Sequence, residues 1–349
     1  MQTLDTSENL KPATSEDQSY LDYLMSVRNF VILDWFPDLA DKINNAVAES
    51  GKDSTDYEQI SEIIEDTPRL DAWKRMMRSQ QTLTWKKLLE TYHAKPDEYT
   101  AKLDQAESNT GRLHYDKEFV VPESACQDIH LQPGGYCNDE LAGYVFEHGT
   151  RVFYQGMNDN DELHKLYVTM LKQPEDGKLN RIMDLGCSIG QCTTAFKDAY
   201  PSAEVWGVDV ALPLLRYANF RAAELESDVH FQQALAEDLP QEDGSFDAVF
   251  AYILFHETPA HTFKPIIEEA MRVLRPGGTL TIVDAPLGNS LPAANRMWQQ
   301  FDAQYNCEPY ALGFIESDFL GLIETAGFTD IEHGPTPTFL AITTAVKPA

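Results

Sequence analysis

Arg181-Ile182-Met183-Asp184-Leu185-Gly186-Cys187-Ser188-Ile189-Gly190 is an apolar run carrying one acid, Asp184, that passes straight into a turn built on Gly186, Ser188 and Gly190. Glycine suits a sharp exit from a sheet, and it lets a ligand approach the main chain without meeting a Cβ. The stretch therefore predicts a strand, a ligand-binding turn and then a helix from about Gln191 to Ala199. Downstream, apolar runs alternate with helical patterns, which implies an α/β fold with a largely parallel sheet.

Spacing separates the uses such a turn can have. The dinucleotide fingerprint G-x-G-x-x-G needs glycine at 186, 188 and 191, where this chain has Gly186, Ser188 and Gln191. Gly186-Cys187-Ser188-Ile189-Gly190 also matches the G-x-S-x-G nucleophile elbow, and Asp284 and His333 follow in the chain order of a triad. That fold places several strands and an oxyanion loop before the nucleophile, whereas the residues before Arg181 read mostly as helix. A second strand, Glu204 to Asp209, ends in an acid placed to accept from both ribose hydroxyls of an adenosine ligand. Further on, Ala236-Glu237-Asp238-Leu239-Pro240 precedes the segment Gly244 to Phe250, and Arg272 to Gly278 precedes a strand from Thr279 to Val283.

In this order the four segments resemble the class I S-adenosylmethionine (SAM) dependent methyltransferases, especially the small-molecule enzymes related to ubiquinone and menaquinone methylation. The resemblance runs from about Asn180 to Lys347. It implies a Rossmann-like domain with a seven-stranded mixed sheet closed by a hairpin, and SAM as cofactor. It also implies cofactor contacts from Asp184, Gly186, Ser188, Gly190, Asp209, Val210, Ala236 and Glu237. One position departs from the pattern. Leu235 stands where such enzymes commonly carry an Asp that accepts from the adenine amino group, so adenine recognition falls to the Ala236 backbone or to Glu237 and Asp238.

The sulfonium of SAM already activates its methyl group, so such a site mainly holds a nucleophile in line and excludes water. A base is needed only where the acceptor atom loses a proton. His256, after the strand that ends near Leu254, lies at the carboxyl edge of the sheet and is the candidate base, with Glu257 beside it to orient the ring or bind a cationic acceptor. The pair resembles the His-Asp at the comparable point of plant-type O-methyltransferases. Capping a helix or lining the pocket is the alternative reading of His256. The insert from Pro286 to Phe314 is expected to form the acceptor pocket through Trp298, Tyr305 and Tyr310, opposite the turn that carries Tyr136. Tyr144 and His130 are further lid candidates.

Composition narrows the partners. A formal charge of −29 opposes association with nucleic acid or an anionic membrane. The N-terminal residues lack the basic and apolar regions of a leader, and no apolar run approaches a membrane span, so a cytoplasmic location is expected. Five scattered cysteines without a C-x-x-C pair indicate neither a disulfide framework nor a zinc site, and no metal site is expected.

The chain of 349 residues divides into a polar, disordered 1–14, a helical domain over 15–118, a linker or lid over 119–158 and the methyltransferase-like 159–349. Ser15-Glu16-Asp17-Gln18 and Thr55-Asp56-Tyr57-Glu58 read as capping boxes, and Thr67-Pro68 as another helix start. The helical domain is expected to pair two subunits or to cap the acceptor site. Three functions stay open: methylation of a hydroxyl, amine or carbon on a small metabolite; S-methylation of a small thioether acid, as in dimethylsulfoniopropionate synthesis; and a non-catalytic SAM-binding or regulatory role.

Overall fold

The computed structural model describes residues 10, 14–65, 67–288 and 291–349. Its sheet contains β1 (Leu113–His114), β2 (Arg181–Leu185), β3 (Glu204–Asp209), β4 (His230–Gln233), β5 (Phe246–Tyr252), β6 (Leu274–Asp284), β7 (Thr329–Pro335) and β8 (Ala341–Val346). The order is β1-β4-β3-β2-β5-β6-β8-β7. All pairings are parallel except those of β8, which runs antiparallel to both β6 and β7. Strand β2 pairs with both β3 and β5, so the winding reverses there and opens a crevice at the carboxyl ends of the strands. The apolar runs of β2 and β5 are buried because helices cover both faces of the sheet.

The sheet has eight strands where the resemblance implies seven. The extra one, β1, follows the helix Pro96–Thr110, which Gly111 stops in a left-handed conformation, and the short extended segment then lies along the open edge of β4. The ring of His114 stacks on Trp206, with centroids 5.3 Å apart.

Helices Ser15–Asn29, Phe36–Ser50, Tyr57–Ile64, Pro68–His93 and Pro96–Thr110 form the front of the chain, with a π-helical stretch at Phe30–Trp35. Two caps fall one residue from their expected places: Thr14 rather than Ser15 accepts from the Asp17 amide at 3.1 Å, and Asp56 rather than Thr55 accepts from the Glu58 amide at 2.9 Å. Most of the stretch 1–14, expected to be disordered, lies outside the described residues. Of the two that are described, Thr14 caps the first helix, and Leu10 is buried with its carbonyl accepting from Arg151 at 2.9 Å.

These helices do not form a core of their own. One apolar cluster joins Leu21, Leu88 and Tyr92 to Tyr144, Val145, Leu214 and Tyr217. Another joins Phe36 and Trp73 to Met297 and Phe301 of the insert helix Ala293–Tyr305. Glycine permits the closest approach: a Cβ on Gly149, in helix Ala142–Phe153, would fall inside the ring of Trp85. The front helices thus pack directly over the crevice. Tyr144, a lid candidate, belongs to this packing, against Tyr92, Tyr99 and Tyr217.

Candidate active site

The turn after β2 needs its glycines on two counts. Gly186 and Gly190 have φ of +69° and +75°, and a Cβ on either would lie 2.8 Å from Leu254 or Phe231 respectively. Ser188 between them also sits at a positive φ of 50°, and its amide donates to Oδ2 of Asp209 at 2.8 Å. The other Asp209 oxygen accepts from the Ala211 amide at 2.9 Å. Burial raises the Asp209 carboxyl to about 6, against the lowering effect of these amides. Asp184 accepts from Thr193 at 2.6 Å through Oδ2, while its buried Oδ1 has no hydrogen-bond partner. Burial pushes that carboxyl up to about 7.

A cavity of about 610 Å³ begins at this turn and runs to the front helices. Asp184, Gly186, Ser188, Asp209 and Val210 line one end, and Tyr136, His256, Glu257 and Trp298 line the other. Arg28, Phe36, Gln81 and Trp85 close it from the front. Gly190 stands behind the wall, starting helix Gln191–Ala199. Four further expected site residues are not in the wall either. Ala236 packs against the sheet core, and Glu237 follows it outside the cavity. Tyr305 is 45% exposed against Phe301, and the Tyr310 hydroxyl donates to the Ser124 carbonyl at 3.3 Å. The helical rise explains Tyr305: in helix Ala293–Tyr305 it follows Trp298 by nearly two full turns, which puts it on the same face but about 10 Å further along, where the helix end has already left the crevice.

His256 lies on the short turn Phe255–Glu257 and is buried. Its Nδ1 pairs with Oδ1 of Asp284 at the end of β6, whose Oδ2 accepts from the Phe255 amide at 2.9 Å. Nε2 is thereby left as the ring atom for the cavity. Burial disfavours a charged ring, but the negative charge of Asp284 outweighs it and raises His256 to about 9. Glu257 does not orient His256. Its Oε1 instead meets Nε2 of His130 at 3.0 Å and accepts from the Tyr136 hydroxyl at 3.4 Å.

His130 is held at every polar atom. Nδ1 meets Glu308 at 3.0 Å, the carbonyl accepts from Gln81 at 2.6 Å and from Trp85 at 2.7 Å, and the amide donates to the Cys307 carbonyl at 3.1 Å. Both His130 and Leu131 sit in the left-handed region, at φ of 53° and 62°, a strained conformation that these contacts hold in place. Burial opposes charge on this ring too, yet Glu308 and Glu257 raise it to about 10. His130 in turn lowers Glu308 against the effect of burial, while burial and Glu308 raise Asp302 well above the carboxylate range.

No hydrolase triad assembles around Ser188. Asp284 is committed to His256, and His333 faces Thr343 across the β7–β8 ladder at 2.9 Å. In the sequence Asp284 stands out only as the acid of that triad. Its signal was available all the same, since it closes an apolar strand at the carboxyl edge as Asp209 does. Glu308, Gln81 and Trp85 carried no comparable signal.

Residues 182–278 match a family described as a methyltransferase domain. These residues belong to a class I SAM-dependent methyltransferase domain. A demethylmenaquinone methyltransferase from Thermus thermophilus is 38% identical over 106 residues, covering 30% of this chain and 47% of that protein. A ubiquinone/menaquinone biosynthesis C-methyltransferase from Syntrophotalea carbinolica is 29% identical over 168 residues, covering 44% of this chain and 70% of that protein. The chain thus spans about half of the first relative's length, and neither match covers half of this chain. Across 95% of this chain and 96% of its own, a solved structure from Nostoc punctiforme, described as a candidate O-methyltransferase, superimposes with a TM-score of 0.50 at 13% identity. This likeness concerns the fold, and it extends over the front helices as well as the methyltransferase domain. Among the described residues, no helix is long and apolar enough to cross a membrane.

Proposed function

We propose that this protein binds SAM along the Gly186–Gly190 turn and transfers its methyl group to a small-molecule acceptor held between Tyr136, Trp298 and the His256 turn. The observation that carries the reading is one continuous cavity joining Asp209 at the cofactor end to His256 and Glu257 at the other. Asp209 accepts from the ribose hydroxyls, Asp184 Oδ1 offers a second buried acceptor, and Gly186, Ser188 and Val210 supply the wall. Ala236 and Glu237 contact adenine only if the cofactor reaches past the wall seen here. The aromatic rings of Phe36, Phe153 and Trp298 favour an apolar acceptor body, and the names of the relatives support a small-molecule substrate.

His256 is the proposed base. With Asp284 on Nδ1, its Nε2 takes a proton from a hydroxyl or ammonium acceptor, while Glu257 and Tyr136 position the substrate. One observation favours a second reading. Asp284 keeps the ring protonated near neutrality, and a protonated ring accepts nothing, which suits a thioether acceptor that has no proton to lose. Incubating the protein and labelled SAM with fractionated metabolite extracts tests the proposal: label transferred to a small molecule supports it and identifies the acceptor atom. Absence of calorimetric binding of both SAM and S-adenosylhomocysteine would instead support a non-catalytic protein.

Pairing of two subunits through the front helices is part of the same proposal. Tyr23, Phe30 and Leu33 are exposed at 63%, 50% and 61% on one stretch of that layer. Sedimentation of the wild type and of a Phe30→Ser, Leu33→Ser variant measures whether that surface joins two copies.

A further inference from the structure

The structure brings two histidines and a carboxylate together at the end of the cavity away from the cofactor turn. One ring nitrogen each from His130 and His256 and one oxygen of Glu257 all lie within 4.8 Å of one another, although the sequence signals no metal site. Two ligand atoms about 2.1 Å from one ion and at right angles are about 3.0 Å apart. The distance from His130 Nε2 to Glu257 Oε1 is 3.0 Å.

The groups behind the trio have the arrangement that ligating histidines need. A ligating ring usually donates its other N–H to a carboxylate, which fixes its tautomer and raises its basicity. Both rings have such a partner: Glu308 on Nδ1 of His130 and Asp284 on Nδ1 of His256. Each ring is thus set to offer Nε2. The strained backbone of His130, tied down by Gln81, Trp85 and Cys307, holds one ligand in place before any ion arrives. His256 and Glu257 are adjacent on a turn fixed through the Phe255 amide.

We infer that His130, His256 and Glu257 form a binding site for one divalent transition-metal ion. Two imidazoles and one carboxylate suit zinc, iron, cobalt or manganese rather than calcium, and three protein ligands leave positions open toward the cavity. An anionic oxygen or sulfur of the acceptor fits those positions. This deepens the methyl-transfer reading and rests on it for the acceptor's place, but ion binding itself is independent of SAM. An ion held there would lower the pKa of a bound hydroxyl or thiol, whose proton would leave to solvent before methyl transfer, and His256 would serve as a ligand rather than as the base.

The test uses the full chain, freed of metal with a chelator and titrated with Co²⁺ alone, followed by visible absorption and calorimetry. The expected result is one equivalent bound, with d–d bands and no thiolate charge-transfer band. His130→Ala and His256→Ala, each checked for folding by circular dichroism, should weaken binding at least about 100-fold, and Glu308→Gln about 10- to 100-fold. His333→Ala, on the far hairpin, should leave it unchanged. Failure of the wild type to bind one equivalent overturns the inference whatever the variants do, as does a thiolate band or unchanged affinity in folded His130→Ala. Label transfer that survives metal removal, together with Co²⁺ binding at this trio, keeps the metal site and returns acceptor activation to His256. Binding of SAM in the metal-free protein is measured separately, so failure of the metal inference and failure of the methyl-transfer reading are told apart.

Discussion

Asp284, the last residue of β6, engages Nδ1 of His256 and so points the opposite ring nitrogen at the cavity. The residue next to His256 in sequence, Glu257, faces His130 instead. Asp284→Asn should therefore disturb the ring that Glu257→Gln leaves in place. The expected loss in kcat for Asp284→Asn is roughly 10²- to 10⁴-fold, with Glu257→Gln acting mainly on acceptor KM. Steady-state kinetics on the identified acceptor checks this, and equal kcat losses for both would mean that Glu257 acts on the reacting step as much as Asp284 does.

Asp209 links cofactor affinity to pH. Its carboxyl is raised to about 6 in the folded protein, so the ionised acceptor is present above that value and is lost as pH falls through it. SAM affinity should be flat near neutrality and weaken below about 6. The ligand-free fold should respond with the opposite sign: a carboxyl raised above its ordinary value of about 3.9 adds stability that is complete below that value and is lost as pH rises through about 6. Thermal melts with and without SAM across this range measure both trends. Asp209→Ala should cost tens-fold in SAM affinity, at about 1.5–3 kcal/mol per charge-assisted hydrogen bond, and should remove the pH trend.

Gly149→Ala tests how firmly the front helices hold the site. The added methyl group has no room beside the Trp85 ring, whose Nε1 donates to the His130 carbonyl at 2.7 Å. The expected cost is about 1–3 kcal/mol in stability, read from denaturant unfolding. A loss of acceptor turnover should accompany it at temperatures where the variant stays folded. Normal turnover in a destabilised variant would show that the Trp85 contact does not govern His130.

Trp298 and Tyr305 should separate. Trp298 packs on Trp73 at 5.1 Å and Phe36 at 4.5 Å while it lines the cavity, so Trp298→Ala is expected to cost about 3–5 kcal/mol and to raise acceptor KM together. Tyr305, half exposed, should leave KM unchanged when replaced by Ala. A KM effect at Tyr305 would mean that the acceptor extends beyond the cavity.

The sequence by itself determined the methyltransferase half. Strand β2, the Gly186–Gly190 turn and Asp209 are local: alternating strands and helices, positive φ at glycine and an acid at a strand end follow from neighbours along the chain. Their geometry is set by backbone sterics, which a short window of sequence carries. What only the tertiary structure decided is the acceptor end. His130 meets Glu257 and Glu308 across 127 and 178 residues of chain, and Gln81 reaches the His130 carbonyl across 49. Nothing in the spacing of these residues encodes their meeting. It depends on the front helices folding over the crevice, where Gly149 lets Trp85 come close and Trp73 joins the insert. The pairing of His256 with Asp284 rather than with Glu257 has the same cause: parallel pairing places β5 and β6 side by side, so residues at their carboxyl ends meet, whereas adjacent side chains on a tight turn diverge.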